Sequence, residues 1–173
     1  WVDLYLIHWP VRGPRLVETW LALEEMQAEG RVRAIGVSNF TIRDLELVMR
    51  SGKVVPAVNQ VEYHPFLQQR ELHEFCRQHG IRLVAWAPLV RGDSLTHPVI
   101  AEIAIRHGRT AAQVLLCWAL QHEVVVIPKS TRPERIRENA GVVGWSLNEA
   151  DMARLDALEA GRRIGPDPEN FNF

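Results

Sequence analysis

Apolar strands alternate with amphipathic helices along this chain, and that alternation limits the possible folds more than any other feature of the sequence. The hydrophobic pattern predicts strands over residues 2–9, 32–38, 57–62, 81–87 and 124–127. Between and after them it predicts helices over residues 16–29 and 99–107. Further helices are predicted after N-caps at Thr41 and Thr110, around Leu72 and Cys76, and from Asn148 onward. Apolar strands that alternate with helices form a parallel sheet with helices packed outside it, so the sequence predicts an α/β protein.

The number of strand–helix units separates the common α/β folds. About five units are present, and none carries the glycine-rich fingerprint of a Rossmann dinucleotide-binding fold. A (β/α)₈ TIM barrel accommodates such units but needs about 200 residues or more, whereas this chain has 173. We therefore expect an incomplete barrel of about five βα units with the N-terminal three missing. Residues 1–173 would then be the C-terminal portion of a single barrel domain.

Composition excludes several classes of protein. The chain is 47% hydrophobic and 24% charged with a net charge of −1, which is typical of a soluble globular protein and gives no basic surface for nucleic acid. Its longest uncharged apolar run, residues 111–120, is too short to span a bilayer. Cys76 and Cys117 lie on apolar faces of predicted helices; a disulfide is possible, but we expect buried reduced thiols in a cytoplasmic protein.

A basic turn follows the last predicted strand. Residues 124–139 read VVVIPKSTRPERIREN, which predicts a strand buried on both faces and then a short helix with Thr131 as N-cap and Glu134 completing a capping box. A helix N-terminus favours anions, so cations around it need an external partner. Lys129, Ser130, Arg132 and Arg135 crowd this end, which favours a bound phosphate over the alternative of a solvated basic turn.

Polar and aromatic side chains follow each predicted strand in turn, at residues 8–10, 38–40, 59–63, 86–89 and 129–130. A single histidine or amide in such a place is more often structural than catalytic. In a barrel, however, the chemistry lies at the carboxyl ends of the strands. Because successive strand ends all carry such groups, the pattern indicates a functional rim.

Four motifs at these ends resemble the aldo-keto reductases, NADP-dependent oxidoreductases built on a (β/α)₈ barrel. They are LYLIHWP at residues 4–10, IGVSNF at 35–40, NQVEYHP at 59–65 and IPKS at 127–130. Their order and spacing agree with that family from about its fourth strand to its C-terminus. The segment WAPL at residues 86–89 is most similar to the bacterial prostaglandin and 2,5-diketo-gluconate reductase-like branch.

The resemblance implies that NADPH reduces aldehydes or ketones to alcohols by hydride transfer, and it assigns a role to each matching residue. His8 would hydrogen-bond the carbonyl oxygen of a small-molecule substrate, and Trp9 would form a wall of the substrate pocket. The residues implied to contact the nicotinamide are Ser38, Asn39, Gln60 and Trp86; those along the pyrophosphate are Ala87, Leu89 and Arg91; those at the 2′-phosphate and adenine are Lys129, Ser130, Thr131, Arg135, Glu138 and Asn139. We assign no metal site.

The family's proton-donating Tyr, with its Lys and Asp, would precede Trp1, so we expect this chain alone to be inactive. Neither Tyr5 nor Tyr63 is placed to replace the missing donor. Two alternatives stay open: a non-catalytic NADPH-binding member of the same fold, such as a channel-regulatory subunit, and an unrelated phosphate-binding barrel with Glu62 as a carboxylate base. We expect the full-length protein to be a monomer without membrane or nucleic-acid partners. The C-terminal tail, residues 161–173, would fold over the rim with Phe171 and Phe173 at the substrate pocket, and a frayed terminus is the alternative.

Overall fold

The computed structural model describes residues 1–11 and 13–171, and its elements follow the predicted alternation. The strands are β1 (Val2–Ile7), β2 (Val32–Ser38), β3 (Val58–Glu62), β4 (Arg82–Trp86) and β5 (Val125–Val126). The helices are α1 (Pro14–Ala28), α2 (Ile42–Ser51), α3 (Arg70–Gln78), α4 (Pro98–His107), α5 (Ala111–Gln121), α6 (Pro133–Ala140) and α7 (Glu149–Asp156). A 3-10 helix, Val90–Gly92, lies between β4 and α4. The predicted α/β class is confirmed.

The strands form a sheet in the order β1-β2-β3-β4-β5, and its pairings are parallel. Gly36 in the middle of β2 makes the close approach of its neighbours possible. A Cβ there would lie 2.8 Å from Val58 Cγ2 and 2.9 Å from Leu6 Cδ2. The register then sets Ser38 beside Gln60 at the carboxyl ends of β2 and β3, where polar side chains were predicted.

The chain divides into two compact units, each with its own buried core. The first unit contains Trp1–Val61, Arg70–Leu83 and the chain from Gly165 onward, and Trp20, Phe40 and Leu45 are among its buried side chains. The second contains Glu62–Gln69 and Val84–Ile164. In the core of the second unit, Tyr63 stacks on Trp118 with their ring centroids 5.1 Å apart. Both buried cysteines, Cys76 and Cys117, are free thiols.

Local capping signals gave correct helix starts at three places and a wrong one at a fourth. Thr41, Thr110 and Asn148 are the N-caps of α2, α5 and α7, as predicted. Thr131 is not the N-cap of α6: the helix begins at Pro133 with Arg132 as its N-cap. Proline disfavours helical backbone in the residue before it. Arg132 is accordingly extended, with φ −99° and ψ 120°, so the helix starts one residue later than predicted.

The prediction for the last strand was also wrong in length and burial. β5 has two residues, and although Val124 is buried, Val125 and Ile127 are each 44% exposed. In the described sheet β5 is the last strand in the order, so it has a strand neighbour on one side only. Pro128 has no N–H to donate, which ends the ladder after Ile127.

Across the described residues, every helix is too short or too polar to cross a membrane.

Candidate functional site

The carboxyl ends of β2 and β3 are joined by hydrogen bonds from the first predicted cofactor residues. Ser38 Oγ donates to the Gln60 carbonyl at 2.7 Å, and the backbone N–H of Asn39 donates to the same oxygen at 2.8 Å. Ser38 and Asn39 are buried, while the Gln60 side chain is half-buried. The structure therefore brings the three residues predicted to hold a carboxamide into one cluster in the first unit.

Asn39 also ties this cluster to the end of β1. Its Nδ2 donates to the His8 carbonyl at 3.0 Å and to Ser38 Oγ at 3.1 Å. The backbone of Asn39 is left-handed, with φ 61°. Asparagine tolerates this conformation better than most residues because its short amide forms local hydrogen bonds. The choice of Asn here thus serves both the turn after β2 and the position of the His8 backbone.

The side chains after β1 are accessible and aromatic. His8 is exposed, and its ring centroid lies 6.3 Å from that of Trp9. Phe171 packs on Trp9 with a centroid separation of 4.2 Å. The tail therefore reaches the side chain that was predicted to form a wall of the substrate pocket, whereas Phe173 lies outside the described residues.

A cavity of about 610 Å³ in the second unit is lined by most of the remaining predicted residues. It lies between the loop after β4, the turn after β5 and helix α6. The predicted cofactor residues that line it are Ala87, Leu89, Arg91, Lys129, Ser130, Arg135, Glu138 and Asn139, and the other lining residues are Pro88, Gly92, Leu95, Ala112, Ile127 and Pro128. Its size is typical of a site for a small organic ligand.

Three predicted contacts in this region stand outside the cavity lining. Trp86, at the end of β4, directly precedes the lining loop and is partly exposed. Thr131 and Arg132 are exposed residues of the turn before α6. Arg132 precedes α6 as its N-cap, whereas Arg135 and Asn139 lie within the helix.

The charge of the lining matches an anionic ligand. Its ionised side chains are the cations Arg91, Lys129 and Arg135 and the carboxylate Glu138. Ser130 organises the turn from which Lys129 projects, since its Oγ accepts a hydrogen bond from the Arg132 N–H at 3.1 Å. Guanidinium and ammonium groups are the side chains that bind phosphate most strongly. The cavity is therefore suited chemically to a phosphorylated ligand of nucleotide size.

The loop after β4 has an unusual backbone that the sequence analysis did not anticipate. Ala87, Val90 and Arg91 have φ values of 51°, 51° and 53°. Such conformations cost about 1–3 kcal/mol each and tend to occur at functional sites. Burial of the Val90 side chain, which is fully inaccessible, holds the strained loop in place. Alanine and valine carry no sequence signal for a left-handed backbone, so this feature was missed.

Gln113 is a second feature of the site that was missed. One end of its side-chain amide completes the capping box of α5, since Gln113 Oε1 accepts a hydrogen bond from the Thr110 N–H at 3.1 Å. Its other end, Nε2, donates to the Glu138 carbonyl on α6 at 2.9 Å. Gln113 therefore fixes the helix that carries Arg135 and Asn139 against α5. A contact 25 positions apart in the chain has no local signature.

Two residues considered as alternative catalytic groups are used structurally. Tyr63 is buried and stacked on Trp118. Glu62 is buried, lies 2.9 Å from His64 Nε2, and accepts a hydrogen bond of 2.7 Å from the Ile164 N–H. A carboxylate engaged in this way is poorly suited to act as the catalytic base of an unrelated phosphate-binding barrel. In residues 1–11 and 13–171, no group of three or more His, Cys, Asp or Glu side chains could hold a metal ion.

Comparison with known proteins gives consistent matches along the chain. A model of the Aldo/keto reductase family matches residues 1–160. The chain is 51% identical to the uncharacterized oxidoreductase YtbE and 46% identical to glyoxal reductase, both of Bacillus subtilis; each match covers 100% of this chain, with 61% and 62% of the two relatives. A crystal structure of a Gox0644 mutant in complex with NADPH matches with a TM-score of 0.92 at 47% identity, covering 99% of this chain and 64% of that one. The chain thus spans less than two thirds of the length of these relatives.

Proposed function

This chain belongs to the aldo/keto reductase family, and we propose that the whole protein reduces small aldehydes or ketones to alcohols with NADPH. Membership supports an oxidoreductase that acts on carbonyl compounds. The observation that carries the cofactor assignment is the cavity in the second unit, with Lys129, Ser130 and Arg135 in its lining. The NADPH bound to a Gox0644 mutant, a protein of similar sequence and fold, supports the same choice.

We propose that the cavity holds the phosphorylated adenosine end of NADPH. Its volume of about 610 Å³ and its cationic lining fit that group. Lys129, Ser130 and Arg135 would bind the 2′-phosphate, with the Thr131 backbone nearby, and Glu138 and Asn139 would contact the adenine. Ala87, Leu89 and Arg91 would follow the pyrophosphate. Each charge-assisted contact to the phosphate would contribute about 1.5–3 kcal/mol.

The cluster at the ends of β2 and β3 would bind the other end of the cofactor. Ser38, Asn39 and Gln60 would hydrogen-bond the carboxamide, and Trp86 would pack on the flat ring. When bound, NADPH supplies the hydride that reduces the carbonyl carbon. These residues would orient the ring, because a carboxamide held on one side leaves a single ring face toward the substrate.

His8 would hydrogen-bond the substrate carbonyl oxygen and polarise it. Trp9 and Phe171, which pack together, would provide an apolar wall beside that oxygen. The proton donor is proposed to be the Tyr of the family's catalytic set, with its Lys and Asp, contributed by sequence outside this chain. Tyr63 is unsuited to this role because it is buried against Trp118.

The similarity to a glyoxal reductase makes short dicarbonyl compounds the first substrates to test. We further propose that residues 1–173 are the C-terminal portion of a single barrel domain in a cytoplasmic, monomeric enzyme. The alternative of a non-catalytic NADPH-binding protein differs in one measurable respect, since it would bind the cofactor without turning it over.

The test is a pair of measurements on the whole protein, meaning this chain within its complete reading frame. NADPH binding is followed by fluorescence, and NADPH consumption is followed by absorbance with glyoxal present or absent. Binding with glyoxal-dependent consumption supports the proposal. Binding without consumption of any short aldehyde or dicarbonyl would favour the non-catalytic alternative. Failure to bind NADPH would exclude both functions.

A further inference from the structure

Asn59 is a buried polar residue in β3 to which neither the sequence motifs nor the proposed function assigns a role. Its side chain is fully inaccessible. Nδ2 donates to the Phe40 carbonyl at 2.9 Å, and Oδ1 accepts from the Phe40 N–H at 3.4 Å. The Asn59 amide thus pairs with both the N–H and the carbonyl of Phe40, as the backbone of a neighbouring strand does in a sheet.

The position of Phe40 explains why such a partner is needed. β2 ends at Ser38, and the backbone of Asn39 is left-handed, with φ 61°, so the regular strand conformation does not continue to Phe40. Phe40 is buried with a relative exposure of 1%, so its backbone groups need a protein partner in place of water. The amide of Asn59 supplies both hydrogen bonds and holds the chain directly after Ser38 and Asn39.

A second buried side chain contacts the Asn59 amide. The Cys76 thiol on α3 forms a hydrogen bond with Asn59, and burial raises the pKa of that thiol to about 12 although the Asn59 hydrogen bond lowers it. Cys76 is therefore a neutral, fully buried neighbour at neutral pH. Hydrogen bonds to both Phe40 and Cys76 therefore hold the Asn59 amide, and a side chain fixed by its own partners is what is expected of a residue that positions others.

We propose that Asn59 is a positioning residue for the nicotinamide end of the cofactor, acting through the Phe40 backbone on Ser38 and Asn39. This inference rests on the proposed binding of NADPH by the whole protein. Asn59 itself touches neither the cofactor nor the substrate. Its loss lets the turn after β2 relax, which misplaces the Ser38 and Asn39 side chains while the adenosine cavity in the second unit keeps its lining.

Two ligands separate this role from a general structural one. NADPH carries the nicotinamide, whereas 2′-phospho-ADP-ribose has the same adenosine, 2′-phosphate and pyrophosphate without that ring. Asn59→Leu removes both hydrogen bonds and keeps four side-chain heavy atoms branched at Cγ. In the whole protein this variant should bind NADPH about fivefold to tenfold more weakly, the loss expected for two modest hydrogen bonds, while its affinity for 2′-phospho-ADP-ribose stays within about twofold of the unmodified protein.

Gln113→Leu is the matched control, because Gln113 is also a buried amide that bonds to a distant backbone group. It holds α6 at the adenosine cavity, so its loss should weaken both ligands by the same factor. If Asn59→Leu does not fold, Asn59→Ser, which keeps one polar group for Phe40, carries the same comparison with a smaller expected loss.

The inference is overturned if Asn59→Leu binds NADPH as the unmodified protein does, or if it weakens both ligands equally. An unmodified protein that binds neither ligand overturns the proposed function itself, and the role of Asn59 with it. Selective loss of NADPH affinity in a protein that still binds 2′-phospho-ADP-ribose supports the inference.

Discussion

The side-chain amide of Asn39 donates a hydrogen bond to the main-chain carbonyl of His8, 3.0 Å away. This contact joins the end of β1 to the end of β2 across 31 positions of sequence. The residue proposed to contact the substrate and a residue proposed to hold the nicotinamide are therefore connected directly. A change at Asn39 should disturb both the cofactor and the position of His8.

Two substitutions at Asn39 separate its side chain from its backbone conformation. Asn39→Gly and Asn39→Ala both remove the amide, so both should weaken NADPH binding by the whole protein about tenfold. Alanine, unlike glycine, disfavours the left-handed backbone at φ 61°. The free energy of unfolding of Asn39→Ala should therefore be about 1–2 kcal/mol lower than that of Asn39→Gly. Denaturant melts and cofactor titrations measure these two effects. Equal stability of both variants would mean that the backbone at residue 39 is free to rearrange.

Replacement of His8 tests its proposed role at the substrate carbonyl. His8→Ala in the whole protein should lower kcat for aldehyde reduction about 10²–10⁴-fold, the typical loss for a positioned hydrogen-bonding group. NADPH affinity should change little, because Asn39 bonds to the main-chain carbonyl of His8, which alanine retains. Steady-state kinetics and NADPH fluorescence check the two parts. Unchanged turnover would show that His8 is not a catalytic residue.

Arg135 should account for a preference for NADPH over NADH. Arg135→Ala should raise the apparent KM for NADPH at least about tenfold, since a charge-assisted contact to the 2′-phosphate is lost, and should leave the KM for NADH nearly unchanged. Arg137→Ala is the control, because Arg137 is an exposed arginine of the same helix outside the cavity lining. Equal losses with both cofactors would show that Arg135 supports the structure of α6 without recognising the phosphate.

Much of this fold could be read from the sequence because the relevant signals are local. The alternation of apolar strands and amphipathic helices predicted the α/β class, and the caps at Thr41 and Thr110 depend on residues three positions away. The start of α6 was predicted wrongly although its signal is equally local. There the capping pattern at Thr131 and the restriction imposed by Pro133 on Arg132 conflicted, and the restriction prevailed.

The site was predicted less completely because part of it depends on contacts distant in sequence. Ser38, Asn39 and Arg135 were named from the sequence, and the structure places the first two at the ends of β2 and β3 and the third in the cavity lining; their roles stay predictions. The contacts of Asn59 with Phe40 and of Gln113 with Glu138 were not predicted, because the partners are 19 and 25 positions away. An amide in a strand or helix gives no indication of which distant backbone group it will meet.

Acid should destabilise the second unit through Asp151. This carboxylate on α7 is buried. It accepts hydrogen bonds from two side chains of α4, Arg106 Nη1 at 2.5 Å and His107 Nε2 at 2.8 Å. Burial alone would raise its pKa, but the hydrogen bond from His107 and the charge of Arg106 outweigh burial and lower the pKa below its ordinary value. A lowered pKa contributes stability above the pKa of the unfolded chain, and that stability is lost as the pH falls through the folded value.

Asp151→Asn should therefore cost about 1–3 kcal/mol at neutral pH, and the difference from the unmodified whole protein should shrink below about pH 4. Glu74→Gln is the control: a hydrogen bond from Arg77 lowers the pKa of Glu74 to about 2. Both of those side chains are largely exposed, so water screens the pair and its loss should leave the melting temperature unchanged at neutral pH. A neutral-pH melt of Asp151→Asn equal to that of the unmodified protein would contradict the prediction.

The edge strands of the described sheet should make the 173-residue chain associate when it is produced alone. β1 and β5 are the two ends of the strand order, and each exposes large apolar side chains, among them Leu4 on β1 and Val125 on β5. Unpaired edges of this kind promote association between chains, and charged side chains on them oppose it.

Light scattering after size exclusion should give a mass above that of one chain. Combined Leu4→Lys and Val125→Lys should lower that mass, whereas Ile105→Lys should not, because Ile105 is an apolar side chain exposed on a helix. A single monomeric species with a cooperative melt from the unmodified chain would contradict this prediction.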